Sequence, residues 1–139
     1  MKCLFFHCKL WKITVTKLSN RMFEGGRPED ISEKEQQEEN CIVIFITVEI
    51  NDEFELIYYK FNIDVGKMSN DVGTKNIVLL PFAHLSSELA KAEKGIFVFK
   101  QLENLLMPFY NVTRAHFGSQ KSLLLDVYGH TGNVRFRSF

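Results

Sequence analysis

Residues 41–50 read CIVIFITVEI, an almost unbroken apolar run in which only Thr47 and Glu49 are polar. A strand with one wet face alternates apolar and polar residues. A continuous run requires cover on both faces, so this segment belongs at the centre of a sheet with material packed above and below it. A chain of 139 residues can supply that cover, because a domain of this size buries well over half of its unfolded surface. One domain over residues 1–139 is therefore expected.

The flanking segments supply the remaining elements. KCLFFHC and KITVTKL, near the start, are rich in apolar and β-branched residues and predict two short strands joined as a hairpin. Asp52 and Glu55 have the spacing of a capping box, and Phe54, Ile57, Tyr58, Phe61, Val65, Met68 and Val72 follow at intervals of three and four, which predicts a helix. FNIDV within it also alternates like a strand, and Gly66 weakens a helix interior by about 1 kcal/mol. NIVLLPF reads as a second buried strand. HLSS then turns the chain into a helix with Ile96, Phe99, Leu102 and Leu106 as its stripe, Ser86 or Ser87 as its cap and Pro108 as its limit. YNVTRAHF and KSLLLDVYG return to β-type sequence, interrupted at Gly118, where a residue without Cβ permits close approach. The expected architecture is α/β, a sheet or partial barrel with two helices packed on it.

Charge and composition narrow the function classes. Formal net charge is zero, but residues 21–40 hold seven acids against Arg21, Arg27 and Lys34, leaving the rest mildly basic. This reads as a solvated acidic connector at about 21–40, its stretch 24–39 mobile or loosely packed and outside the site, and as a body compatible with phosphate contacts. Apolar runs fall well short of the ~20 residues of a membrane span, and CLFFHC is too short and too interrupted for a signal peptide. Cys3, Cys8 and Cys41 form no CxxC pair, which suits a reducing cytoplasm and argues against a disulfide framework or zinc knuckle. His7, His116 and His130 with Cys8 lack ligand spacing, so no metal is expected. FGSQK lacks the second glycine of G-x-S-x-G, and His7 and Cys8, as strand neighbours, point to opposite faces.

FITVE, LLPFAHLSSEL, YNVTRAHFGSQKS and YGH, in this order and at these separations, resemble the N-terminal editing domain of archaeal threonyl-tRNA synthetases, which is related to D-aminoacyl-tRNA deacylases. The resemblance runs nearly end to end. It implies a D-aminoacyl-tRNA deacylase-like fold and an editing esterase that hydrolyses Ser-tRNA(Thr). The water would be assisted by the 2′-hydroxyl of the terminal adenosine. Serine lacks one methyl group of threonine, a difference worth only about 1–3 kcal/mol to a binding pocket, so a second, hydrolytic site has a clear chemical purpose.

By position, the resemblance implies catalytic roles for Lys121 and His84. Lysine would position water and stabilise the oxyanion, and histidine would orient water or the ribose hydroxyl, or shuttle a proton. Main-chain groups of Thr47, Val48 and Glu49, of Pro81, Phe82 and Ala83, and of Phe117, Gly118, Ser119 and Gln120 would hold the aminoacyl group, with Phe82 and Phe117 as an apolar wall. No cofactor is implied for the domain itself; ATP and zinc would belong to a synthetase catalytic domain, attached in cis or acting in trans. The implied partners are the tRNA(Thr) acceptor end and a second copy in a homodimer paired through sheet edges.

This chain departs from the family pattern at two places. APFGWYK in the family stands here as AHFGSQK, so Ser119-Gln120 replace an aromatic pair. GHPLSEL stands here as GHTGNVRF, so Val134 replaces a glutamate expected near the lysine. These changes keep a second reading open, a catalytically weak tRNA-binding or dimerisation domain, beside that of a D-aminoacyl-tRNA deacylase. A domain of a synthetase and a free-standing editor both fit.

Overall fold

A computed structural model describes residues 1–18 and 33–139. In chain order the elements are β1 (Lys2–Lys17), β2 (Glu35–Thr47), α1 (Phe54–Val72), β3 (Asn76–Pro81), α2 (Ala92–Leu106), β4 (Asn111–Arg114), β5 (Gln120–Val127) and β6 (Val134–Ser138). They form a six-stranded sheet of order β4-β3-β2-β1-β5, with β6 also paired to β1. The steps from β2 to β3 and from β3 to β4 are parallel, with α1 and α2 as their crossovers. The expected α/β sheet with two helices is the architecture found. No helix among the described residues is long and apolar enough to cross a membrane.

The expected N-terminal hairpin is instead one strand of 16 residues. Lys9 and Leu10 offer no turn chemistry, and Trp11 just beyond them is fully buried. One edge of β1 pairs with β2, while the other edge is shared, Lys2–Phe6 with β6 and Cys8–Lys17 with β5. Near the changeover, the register with β5 shifts between Cys8 and Leu10, and Asn40 of β2 takes the left-handed conformation at φ 43°.

The sheet coils at this point. Cys41 is level with Asn76 and Asn76 with Asn111, so straight strands would set Gln36 and Arg114 eight residues apart along the sheet, roughly 26 Å. Yet Gln36 Nε2 donates to the Arg114 carbonyl at 3.1 Å, and Thr113 Oγ1 donates to Glu38 Oε1 at 2.7 Å. The far halves of β1 and β2 have folded over one face of the sheet, and side chains close the gap to β4. Residues 35–40, read from sequence as part of the acidic connector, are therefore strand. Residues 19–32 lie outside the described residues.

Coiling explains the apolar run. Ile42, Ile44 and Ile46 face the helices, where Ile57, Phe61, Val65 and Met68 of α1 and Val98, Phe99, Leu102 and Leu106 of α2 meet them. Cys41, Val43 and Phe45 face inward and meet Trp11, Ile13, Val78, Leu80 and Ala115. The α1 stripe is narrower than its sequence suggests, since Tyr58 is exposed.

Both expected caps are absent. Helix α1 starts from Glu53 with no side-chain cap bond, and Asp52 accepts instead from the Met1 ammonium and the Glu49 N–H. Helix α2 starts from Lys91, well past Ser86, whose hydroxyl donates to Glu49 Oε1 and accepts from the Glu88 N–H. Strand β6 was not expected, although VRFRS alternates. Its Arg135 and Arg137 reach Asp71 and Asp64 of α1 at 2.9 and 3.0 Å, and Val134 and Phe136 point away.

At the β1–β2 bend, His7 Nδ1 lies 2.7 Å from His130 Nε2. His130 Nδ1 faces the Thr131 carbonyl at 3.0 Å, and His7 Nε2 faces Asn40 Oδ1 at 3.2 Å. Burial leads in disfavouring a further proton on His7, holding its pKa below its ordinary 6.5. The unfolded chain therefore takes up this proton first as pH falls. The contribution is complete above about 6.5 and is lost below it. Denaturant unfolding at pH 7 and pH 5 should show that loss, and His7→Gln should flatten the slope between them.

Candidate active site

The parallel strands β2, β3 and β4 carry their carboxyl ends to one end of the sheet, the end at which α/β folds bind ligands. Thr47–Glu49, Pro81–Ala83 and the loop from Ala115 to Ser119 gather there for that reason.

Thr47, the last residue of β2, is a fastener. Its hydroxyl donates to the Phe82 carbonyl and accepts from the Leu85 N–H, and the Phe82 N–H donates to the Ile46 carbonyl. Phe82 thereby lies edge-on to Phe45, centroids 5.0 Å apart, and to His84 at 5.1 Å. His84 itself is exposed. The chain beyond it is strapped down, with the Ala90 N–H donating to the Val48 carbonyl and the Ile50 N–H to the Glu88 carbonyl. Val48 and Glu49, expected to hold an aminoacyl group, have the Val48 carbonyl and the Glu49 amide engaged within the fold. The Glu49 carboxylate braces the strap through Ser86 and meets Met1 and Lys2 at 3.1 and 3.3 Å; the Ser86 hydrogen bond leads in holding its pKa below the usual range.

Lys121 pairs with Val15 at the start of β5, and its Nζ donates to the Ser119 carbonyl at 2.9 Å. Burial lowers its pKa from the ordinary 10.5. By the two-residue period of β5, Lys121 shares a face with Leu125 and Val127, which pack against the inner cluster together with Phe82 and Leu85. Leu123, between Lys121 and Leu125 on that face, is exposed, and among the described residues no hydrogen bond joins Lys121 to His84.

Two expected neighbours stand elsewhere. Phe117 does not form a wall with Phe82. Its ring lies 5.9 Å from that of Phe99 and so close over Gly95 that a Cβ there would sit 3.0 Å away, on the helix side of the sheet. Val134 pairs with Phe6, nine residues along β1 from the partner of Lys121, and so is not beside the lysine within this chain.

Gly118, at φ 80°, adopts a conformation that favours glycine and reverses the loop. The Ser119 hydroxyl comes back to His116 Nδ1 at 2.9 Å, while the His116 N–H donates to Gln36 Oε1 at 3.2 Å. His116 stands out in the sequence only as a candidate metal ligand, because an i,i+3 contact of this kind depends on a positive φ between the partners. Gln120 is exposed and pairs with Lys17. Among the described residues, no group of three or more His, Cys, Asp and Glu side chains is placed to hold a metal. Burial raises the Cys8 and Cys41 thiols to about 12, so neither is a ready nucleophile.

Residues 1–138 match the family described as the archaea-specific editing domain of threonyl-tRNA synthetase. The chain is 32% identical over 130 residues to a threonine–tRNA ligase editing subunit of Saccharolobus solfataricus, covering 94% of this chain and 32% of that protein. It is 38% identical over 109 residues to a threonine–tRNA ligase of Thermococcus sibiricus, covering 75% of this chain and 17% of the ligase. The chain therefore spans a third or less of the length of these relatives. A c-Myc DNA unwinding element binding protein has a similar fold, with a TM-score of 0.66, 13% identity, and coverage of 100% of this chain and 99% of that one.

Proposed function

The chain belongs to the archaea-specific editing-domain family of threonyl-tRNA synthetase, and on that premise we propose that it removes serine from mischarged Ser-tRNA(Thr) by hydrolysing the aminoacyl ester. The observation that supports this reading is the group at the carboxyl end of β2 and β3, where the Thr47 hydroxyl holds the Phe82 carbonyl and the Phe82 ring meets His84. The half-buried Lys121 ammonium is the donor for the developing oxyanion, worth most where water is excluded. The exposed His84 is the group that meets the terminal ribose, whose 2′-hydroxyl assists the attacking water.

The partners in this reading are the acceptor end of tRNA(Thr), a threonyl-tRNA synthetase catalytic domain in cis or in trans, and a second copy of the chain. The strands beside β1 suit the second copy, since Leu123, Leu124, Val134 and Phe136 are all exposed. A cytoplasmic setting accords with three unpaired cysteines. The second reading, a tRNA-binding domain of low activity, is favoured by one observation, that no hydrogen bond joins His84 to Lys121 among the described residues. Incubation with Ser-tRNA(Thr) separates the two. Ester loss well above the spontaneous rate supports editing, and binding without ester loss supports the second reading.

A further inference from the structure

Ser119 and His116 form a hydroxyl–imidazole pair that the editing reading leaves unused. Three features of the loop make it. Ala115 is tied to β3 by its N–H on the Leu79 carbonyl at 2.9 Å, and the His116 N–H is tied to Gln36, so the base of the loop is fixed to two strands. Gly118 turns the chain back at φ 80°. Ser119 Oγ then meets His116 Nδ1 at 2.9 Å, inside the range for a proton donor and its base. The imidazole is only 6% exposed, whereas the serine is half-buried, so the hydroxyl bound to the base is more open to solvent than the base itself. Lys121 Nζ lies on the Ser119 carbonyl, which places a cation beside the same residue.

We propose that Ser119 and His116 are the proton relay of the proposed ester hydrolysis, an inference that rests on the editing reading. As the water oxygen bonds to the ester carbonyl carbon, the water gives a proton to Ser119 Oγ, and the Ser119 hydroxyl proton passes to His116 Nδ1. The carbon–oxygen bond to the ribose then breaks, and the leaving ribose oxygen takes a proton back along the same path. Ester and water become acid and alcohol, with Ser119 and His116 restored. His116 must be unprotonated at Nδ1 to serve.

The test uses the whole chain and Ser-tRNA(Thr), with kcat/KM followed from pH 5 to 8. His116→Gln keeps an acceptor for the Ser119 hydroxyl but takes up no proton. It should lower kcat/KM roughly 10²-fold at pH 7, as should Ser119→Ala, while Ser119→Thr keeps most of the rate. Circular dichroism checks that each variant is folded. A folded His116→Gln variant with the wild-type rate overturns the relay, as does a seryl ester trapped on Ser119 by acid quench. Failure of the wild-type chain to hydrolyse the ester would instead overturn the editing reading beneath it.

Discussion

Lys121→Met should slow hydrolysis of Ser-tRNA(Thr) by roughly 10²–10³-fold, the scale for removing one preorganised donor from a developing oxyanion. Methionine fills a similar volume and carries no charge, so tRNA affinity should change little. Stability should rise rather than fall. Burial lowers the lysine pKa, so below 10.5 the unfolded chain holds the proton more tightly than the folded one, and at pH 7 the charge opposes folding. A variant both slower and no less stable marks a residue kept for chemistry rather than for packing. His84→Ala should also slow the reaction, and the double variant should lose less than the product of the two, because both groups act on one ester and one water. Single-turnover ester loss and thermal melts on the three variants check this.

The second large effect is on the fold. Phe61→Ala should destabilise the chain by about 3–5 kcal/mol, read as a lower urea midpoint with the slope unchanged. Phe61 is fully buried between α1 and the sheet, with Phe5 at 6.3 Å on one side and Phe139 at 6.0 Å on the other. These neighbours come from β1 and the C-terminal residue, which are fixed by sheet pairing and by the Phe139 N–H on the Met1 carbonyl, so they cannot collapse into the space. By contrast, Tyr59 on the same helix is 70% exposed, and Tyr59→Ala should stay within about 0.5 kcal/mol of the wild type.

Sequence reasoning succeeded where one period dominates. The apolar run of β2, the three-and-four spacing of Ile57, Phe61, Val65 and Met68, and the buried NIVLLP segment each point to a single element, and the order of strand, helix, strand, helix follows. It failed where a boundary depends on the rest of the fold. Lys9 and Leu10 look like a break between two apolar runs, but nothing there turns the chain, and β1 continues because β2 lies along its whole length. Asp52 and Ser86 look like helix caps, but each is captured by a longer-range partner, the Met1 ammonium and Glu49.

The candidate site follows the same division. Residues 47–49 and 81–83 come together because adjacent parallel strands end side by side. Phe117 facing α2, and Val134 standing away from Lys121, depend on the coil at Asn40 and on side chains that no local pattern orients. The Ser119–His116 contact depends on one positive φ at Gly118, for which the glycine was the only sign in the sequence.

Editing by this chain is read from the rate of ester loss from Ser-tRNA(Thr) set against that from Thr-tRNA(Thr) under identical conditions. An editing pocket that admits serine and excludes one additional methyl group should hydrolyse the serine ester at least roughly 10-fold faster, since a methylene difference alone is worth about 1–3 kcal/mol. Equal rates for the two esters, or neither exceeding its spontaneous hydrolysis, would contradict the account.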